Sequence, residues 1–162
     1  MTFIKSLTGM VIGVFIIAQC ASAQPTRDRI LDDVHIIDKN GCYTIKIAFT
    51  FPVSYIRHFP FDKGKELQIQ IEPINLGPLM QEAISSRESI KPPHHKKVPL
   101  NEVTFEGNAE GGPYLNLYFD KVVNYEVGQG TDFRSIMVAI RNKDPDPGPD
   151  AVTCPHLPKN KK

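Results

Sequence analysis

Apolar and polar positions alternate with a period of two along most of the chain, and the alternation occurs in two matching blocks. In the first, Val34 and Ile36 open a strand, and a turn containing Gly41 follows. Tyr43, Ile45, Ile47 and Phe49 then mark one face of a second strand, with Thr44, Lys46, Ala48 and Thr50 on the other. This is the signature of a half-buried strand. Pro52 interrupts the run, so Val53 to Arg57 reads as a short strand near a sheet edge. Asp62-Lys63-Gly64-Lys65 reads as a turn, and Leu67, Ile69 and Ile71 form the closing strand. About 70 residues later the layout returns as Val103 and Phe105; Leu115, Leu117 and Phe119; Val123 and Tyr125; Ile136, Val138 and Ile140.

The expected fold is therefore all-β: a pseudo-symmetric β-sandwich built from two four-strand units, residues 33–72 and 102–141. Each unit alone has too few strands to hide its apolar face, so the two must share a core. Phe49, Phe51, Phe119 and the Ile/Leu/Val positions above are its expected members. Residues 75–99 differ in kind: Gly77-Pro78 begins them and Lys91-Pro92-Pro93 nearly closes them. They read as a mobile, basic, proline-containing linker, with one or two helical turns available between Leu79 and Ile90. Gly107 and Gly111-Gly112 supply the hairpin connection of the second unit.

The ends change the picture. Lys5, the apolar run Met10 to Ala18 and Ala21-Ser22-Ala23 predict a secretion signal over residues 1–23, cleaved before Gln24. A competing reading is a lipoprotein signal with Cys20 lipidated, the one route by which a membrane partner is expected. Residues 24–32 read as a flexible lead-in, and 143–162 as a disordered Pro/Asp-rich and basic tail. Cleavage leaves two cysteines, Cys42 and Cys154, and an even pair in an exported protein predicts a disulfide. The formal charge of +1 includes Lys5, so the mature chain is close to neutral. It has no basic field for nucleic acid.

Little in the sequence suggests catalysis, a metal or a cofactor. His94-His95 lacks a third ligand nearby, and prolines separate Asp144, Asp146 and Asp150. No nucleophile elbow, phosphate loop or zinc-protease helix is present. The chain is expected not to be an enzyme. Tyr55, Arg57, Tyr125 and Arg134 are the ligand-binding candidates, because tyrosine and arginine at sheet edges suit sugars and carboxylates. The plainer reading of both tyrosines is as core or sandwich-corner residues.

Each block resembles the half-unit of an AMIN domain. The residues that carry the resemblance are Tyr43 to Tyr55 with Glu66 to Ile71, and Val103 to Gly107 with Gly112 to Val123. AMIN domains are periplasmic β-sandwiches at the front of cell-wall amidases and type IV pilus secretins. The resemblance implies a periplasmic module that recognises peptidoglycan or another envelope component. Stem carboxylates would meet Arg57 and Arg134, and glycan rings Tyr55 or Tyr125. The alternative is an accessory that docks onto an envelope protein by strand addition at an exposed sheet edge.

Overall fold

In a computed structural model of the chain, residues 29–141, 154, 156 and 157 are described. The expected signal segment and the aspartates at 144, 146 and 150 lie outside them. Eight strands and one short helix follow in the order β1 (Leu31–Lys39), β2 (Cys42–Phe49), β3 (Val53–Phe59), β4 (Lys63–Pro73), α1 (Pro78–Ala83), β5 (Arg87–Ile90), β6 (Leu100–Glu106), β7 (Tyr114–Gln129) and β8 (Ser135–Arg141). All pairings are antiparallel. The all-β expectation holds. Among the described residues no helix is long and apolar enough to cross a membrane.

The strands form one sheet in the order β1-β2-β8-β7-β4-β3, with β6 also on β7 and β5 on β6. The long β7 makes this branching possible. Its first half, from Tyr114 to Phe119, lies between β6 and β4. Its second half, from Asn124 to Gln129, pairs with β8. β7 therefore belongs to two flanks, one of β1, β2 and β8 and the other of β3, β4, β6 and β5. Their inner faces meet in one apolar cluster containing Ile45, Ile47, Leu67, Ile69, Phe105, Leu115, Leu117, Ile136 and Val138. Most of the expected core is buried, including Phe49, Phe51 and Phe119; Ile36 is only partly buried against it, and Ile30, Leu31, Val98 and Leu100 join it.

Several inter-strand pairs have another pair about 70 residues away along the chain. Ile45 opposite Val138 corresponds to Leu115 opposite Ile69, and Ile47 opposite Ile136 to Leu117 opposite Leu67. Val34 opposite Ile47 corresponds to Val103 opposite Leu117. Tyr55 opposite Ile71 corresponds to Tyr125 opposite Ile140. The two blocks are joined where β2 pairs with β8 and β4 with β7, while β1 and β3 pair within their own block.

Several local expectations need correction. Residues 75–99 are not simply a linker: they hold α1 and β5, and Val98 is buried. β5 has one apolar residue in Arg87-Glu88-Ser89-Ile90, so no alternation announces it. It forms because β6 offers an edge, and because Gly107 lets the end of the helical segment approach: a Cβ there would lie 1.5 Å from the Ile84 carbonyl oxygen. The expected lead-in is anchored where it is described. Ile30 and Leu31 are fully buried, and the Glu88 carboxylate accepts both their backbone N–H groups, at 2.7 and 3.3 Å. The turn placed at Asp62 to Lys65 sits earlier, because Lys63 and Gly64 already pair with Asn124 and Val123. Val123 and Tyr125 are not on a separate strand but continue β7. Asn40 and Gly41, with φ of 55° and 83°, form the tight turn between β1 and β2 that suits Asn-Gly.

Leu117 is fully buried between β4 and β6 on the strand shared by both flanks. Leu117→Ala should destabilise the protein by about 2–5 kcal/mol. The loss should appear as one cooperative transition, shifted in denaturant midpoint, when followed by both circular dichroism and tyrosine fluorescence.

Candidate binding surface

The four residues singled out by sequence occupy three environments. Tyr55 and Tyr125 come together around His58. Their rings lie 5.8 and 6.3 Å from the His58 ring, centroid to centroid. Tyr125 is 4 % exposed; its ring stacks on Phe119 and its hydroxyl donates to the Pro60 carbonyl at 3.2 Å. Burial, reinforced by the Asp62 charge, pushes its phenol up to about 12. Burial also raises the Tyr55 phenol. Of the two readings of these tyrosines, Tyr125 takes the core one, because its ring is already covered.

Arg57 points away from this cluster. A register shift between Tyr55 and Arg57 places Tyr55 and His58 opposite the inward Ile71 and Ile69, and Arg57 opposite Gln70. The Arg57 guanidinium donates to Gln70 Oε1 at 2.7 Å, and the Gln70 amide in turn donates to the Gly111 carbonyl. Arg134 lies in the turn between β7 and β8, and among the described residues no hydrogen bond or ion pair links it to Arg57.

His58, Phe59 and Phe61 went unnoticed in the sequence. His58 Nδ1 is 2.6 Å from the Tyr55 hydroxyl, and Nε2 is 2.8 Å from the Phe61 carbonyl oxygen. The imidazole stacks on Phe61 and fixes the Phe59-Pro60-Phe61 turn. Phe59 and Phe61 are nevertheless 75 % and 82 % exposed. The available signal was the run His58-Phe59-Pro60-Phe61 itself, three rings and a proline at the end of an edge strand.

Phe59 continues onto the outer face of the sheet. It sits opposite Gln68, Gln68 opposite Asn116, and Asn116 opposite Thr104. Directly opposed residues share a face, so this is one row across four strands. Tyr118, opposite Glu66, stands in the neighbouring row. Phe59, Gln68, Asn116, Tyr118 and Glu106 line a hollow of about 470 Å³. An aromatic wall beside carboxamides can hold a ring by stacking and hydrogen-bond its substituents.

A second concavity, of about 600 Å³, lies on the outer face of the opposite flank, lined by Asp32, Asp33, Lys46, Ala48, Asp132 and Arg134 among others. Lys46 Nζ is 2.7 Å from Asp132 Oδ2. Burial alone would raise the Asp132 carboxyl. The hydrogen bonds from Lys46, Ser135 and the Arg134 backbone outweigh burial and lower it to about 2.

Cys42 and Cys154 are joined, with Cα atoms 5.5 Å apart, as the sequence predicts. The bond carries part of the expected disordered tail onto the sheet. Arg141 donates to the Cys154 carbonyl at 3.1 Å and also pairs with Glu126, and His156 Nδ1 is 3.0 Å from Glu126 Oε2. Of the two adjacent histidines, His94 is exposed and the His95 ring lies 5.2 Å from that of Tyr43. Among the described residues no three His, Cys, Asp or Glu side chains group as metal ligands. No family model, curated protein or solved structure matches the chain.

Asp132 gives a pH prediction. Its carboxyl titrates at about 2 when folded, against an ordinary 3.8, so its stabilising effect is complete above about pH 4. That effect is lost as pH falls towards 2. The pair is partly exposed, so Asp132→Asn should cost no more than about 1 kcal/mol at neutral pH. Urea melts at pH 7, 4 and 2.5 should show the gap between wild type and variant narrowing at the lowest pH.

Proposed function

We propose that this protein is an exported, non-enzymatic binding module whose ligand is the glycan of peptidoglycan or another envelope component. The observation that carries the reading is the hollow beside the exposed Phe59 ring. Two large aromatic side chains held in water by a hydrogen-bonded histidine are a standing cost, and exposed apolar surface of this kind marks a contact site. The hollow adds the Tyr118 ring and the Gln68 and Asn116 amides to Phe59. Arg57 lies two residues before Phe59 on the same outward side, opposite Gln70. It would meet a carboxylate attached to the sugar, and its planar fork makes two-point contacts that a lysine cannot.

The paired registers support the second half of the reading. We take the molecule as two half-units that exchange their closing strands, the arrangement that the repeat and the AMIN resemblance lead one to expect. Strand addition is the alternative reading, and the sheet edges differ in what they offer it. At β3 the Gln129 side chain already accepts the Tyr55 N–H at 2.7 Å and donates to the Val53 carbonyl at 3.0 Å, which occupies part of that edge. β1, at the other end of the order, is the edge to test.

Co-sedimentation of the mature protein with purified sacculi at physiological salt tests the proposal. Phe59→Ala combined with Tyr118→Ala should weaken binding at least tenfold, about 1.4 kcal/mol. Arg57→Ala should weaken it as well. Neutralising Lys91, Lys96 and Lys97 should matter only at low salt, where charges are unscreened. No sedimentation, or sedimentation lost with the lysines and kept without the aromatics, would refute the glycan reading.

A further inference from the structure

The groove on the β1-β2-β8 flank is a separate feature, and its argument does not rest on the glycan reading. Register builds it. Across these strands Asp33 lies opposite Ala48 and Ala48 opposite Ser135; in the next row His35 lies opposite Lys46 and Lys46 opposite Met137. Ala48 therefore sits in the middle of a row of larger side chains. A methyl group there leaves the floor open. β1 supplies one wall through Asp32 and Asp33, and the turn before β8 supplies the other through Asp132 and Arg134.

Most of the polar groups in the groove already have partners within the protein. Lys46 holds Asp132, and His35 Nε2 is 3.0 Å from Asp33 Oδ2. Two do not. Among the described residues, neither the Arg134 guanidinium nor the Asp32 carboxylate has a hydrogen-bond or ion-pair partner. They carry opposite signs and stand on opposite walls.

The turn that presents Arg134 is also locally strained. Phe133 has φ of 53°, a left-handed conformation unfavourable for a bulky residue, and is 62 % exposed. Its backbone is held there: its carbonyl accepts the Val53 N–H at 2.8 Å, and its own N–H donates to Gly130 at 3.2 Å. Strain of this kind persists where the surroundings over-determine it, and it clusters at ligand sites. Asparagine would occupy the position more cheaply, so burial in the protein does not explain an aromatic ring here.

We infer that this groove binds the zwitterionic head of an amino acid, an ammonium and a carboxylate on one carbon, with the carboxylate on Arg134 and the ammonium on Asp32. The charge pattern discriminates among ligand classes. A simple anion would face Asp32, Asp33 and Asp132 across the groove. A simple cation would face Arg134 and Lys46. Among the charges left unpaired, only a ligand carrying both signs meets an opposite one on each wall, and like-charge juxtaposition disfavours the others. The head could belong to a free amino acid or to the unblocked end of a diamino acid in a wall peptide.

Nuclear magnetic resonance titration of the mature protein tests this with four probes: alanine, N-acetylalanine, alanine amide and diaminopimelic acid. Alanine should shift the Arg134 and Ala48 signals. N-acetylalanine and alanine amide, each lacking one charge, should bind at least tenfold more weakly. Arg134→Ala should weaken alanine binding at least tenfold, and Asp32→Asn should do so for alanine but leave N-acetylalanine unchanged. Ala48→Leu, which fills the floor and keeps every charge, should reduce binding of all four. Tighter binding of diaminopimelic acid than of alanine would assign the wall-peptide source, and equal binding the free amino acid. N-acetylalanine binding as well as alanine, or an unchanged affinity in Arg134→Ala, would overturn the inference. Loss of alanine binding in Arg134→Ala with sacculus binding intact would show that the groove and the aromatic hollow act separately.

Discussion

The structure depends on one strand serving two flanks. β7 gives its first half to β4 and β6 and its second half to β8, so neither flank is complete without it. The backbone requirement is simple: every buried N–H and C=O needs a partner, and a short flank alone leaves an edge unpaired. The side-chain requirement agrees. Leu115 and Leu117 face Ile69 and Leu67 across the sheet, and with Ile45 and Ile47 they fill one core. Burying one such side chain contributes about 1.5–3 kcal/mol, and here each is shielded by residues from both halves of the chain.

A core built this way leaves the outer faces available. Strand alternation turns Phe59 and Gln68 to solvent on one flank, with the largely buried Asn116 in the same row, and Lys46 and Ala48 outward on the other. Neither row strengthens the core much. Both rows hold their side chains on strands, and the second concavity adds Asp132 and Arg134 from the turn before β8, whose backbone is hydrogen-bonded in place. The two concavities differ in chemistry: one pairs aromatic rings with carboxamides, and the other pairs opposite charges over a small floor residue. His58 and Gln70 show how such surfaces are pre-ordered, each linking a strand to a neighbouring turn or loop by hydrogen bonds.

Much of this was legible in the alternation. Period two located the strands and their inward residues, because one face of each is buried, and cysteine parity gave the bond between Cys42 and Cys154. What escaped had physical reasons. β5 is nearly all polar, and it is held by the β6 edge and the Glu88 carboxylate rather than by apolar burial. Ile30 and Leu31 follow charged residues, and only the distant Glu88 reveals their anchoring. The turn at Asp62 to Lys65 moved because β7 was longer than its sequence punctuation suggested. At the surface, Arg57 and Arg134 were visible as residue types, but the bulge that turns Arg57 away from Tyr55 was not. Phe59 and Phe61 stand in no alternating run, and only their exposure in the fold distinguishes them.

The central claim is that rigid outward rows on a single shared core form the ligand surface. Aromatic carbon–proton spectra during titration with soluble, enzymatically released wall fragments address it most directly. The account expects the Phe59, Phe61 and Tyr118 ring signals to move in a saturable way, while the methyl signals of Ile45, Leu117 and Val138 stay in place. Ring signals that do not respond, or shifts confined to the lysine-rich segment around Lys96 and Lys97, would contradict it.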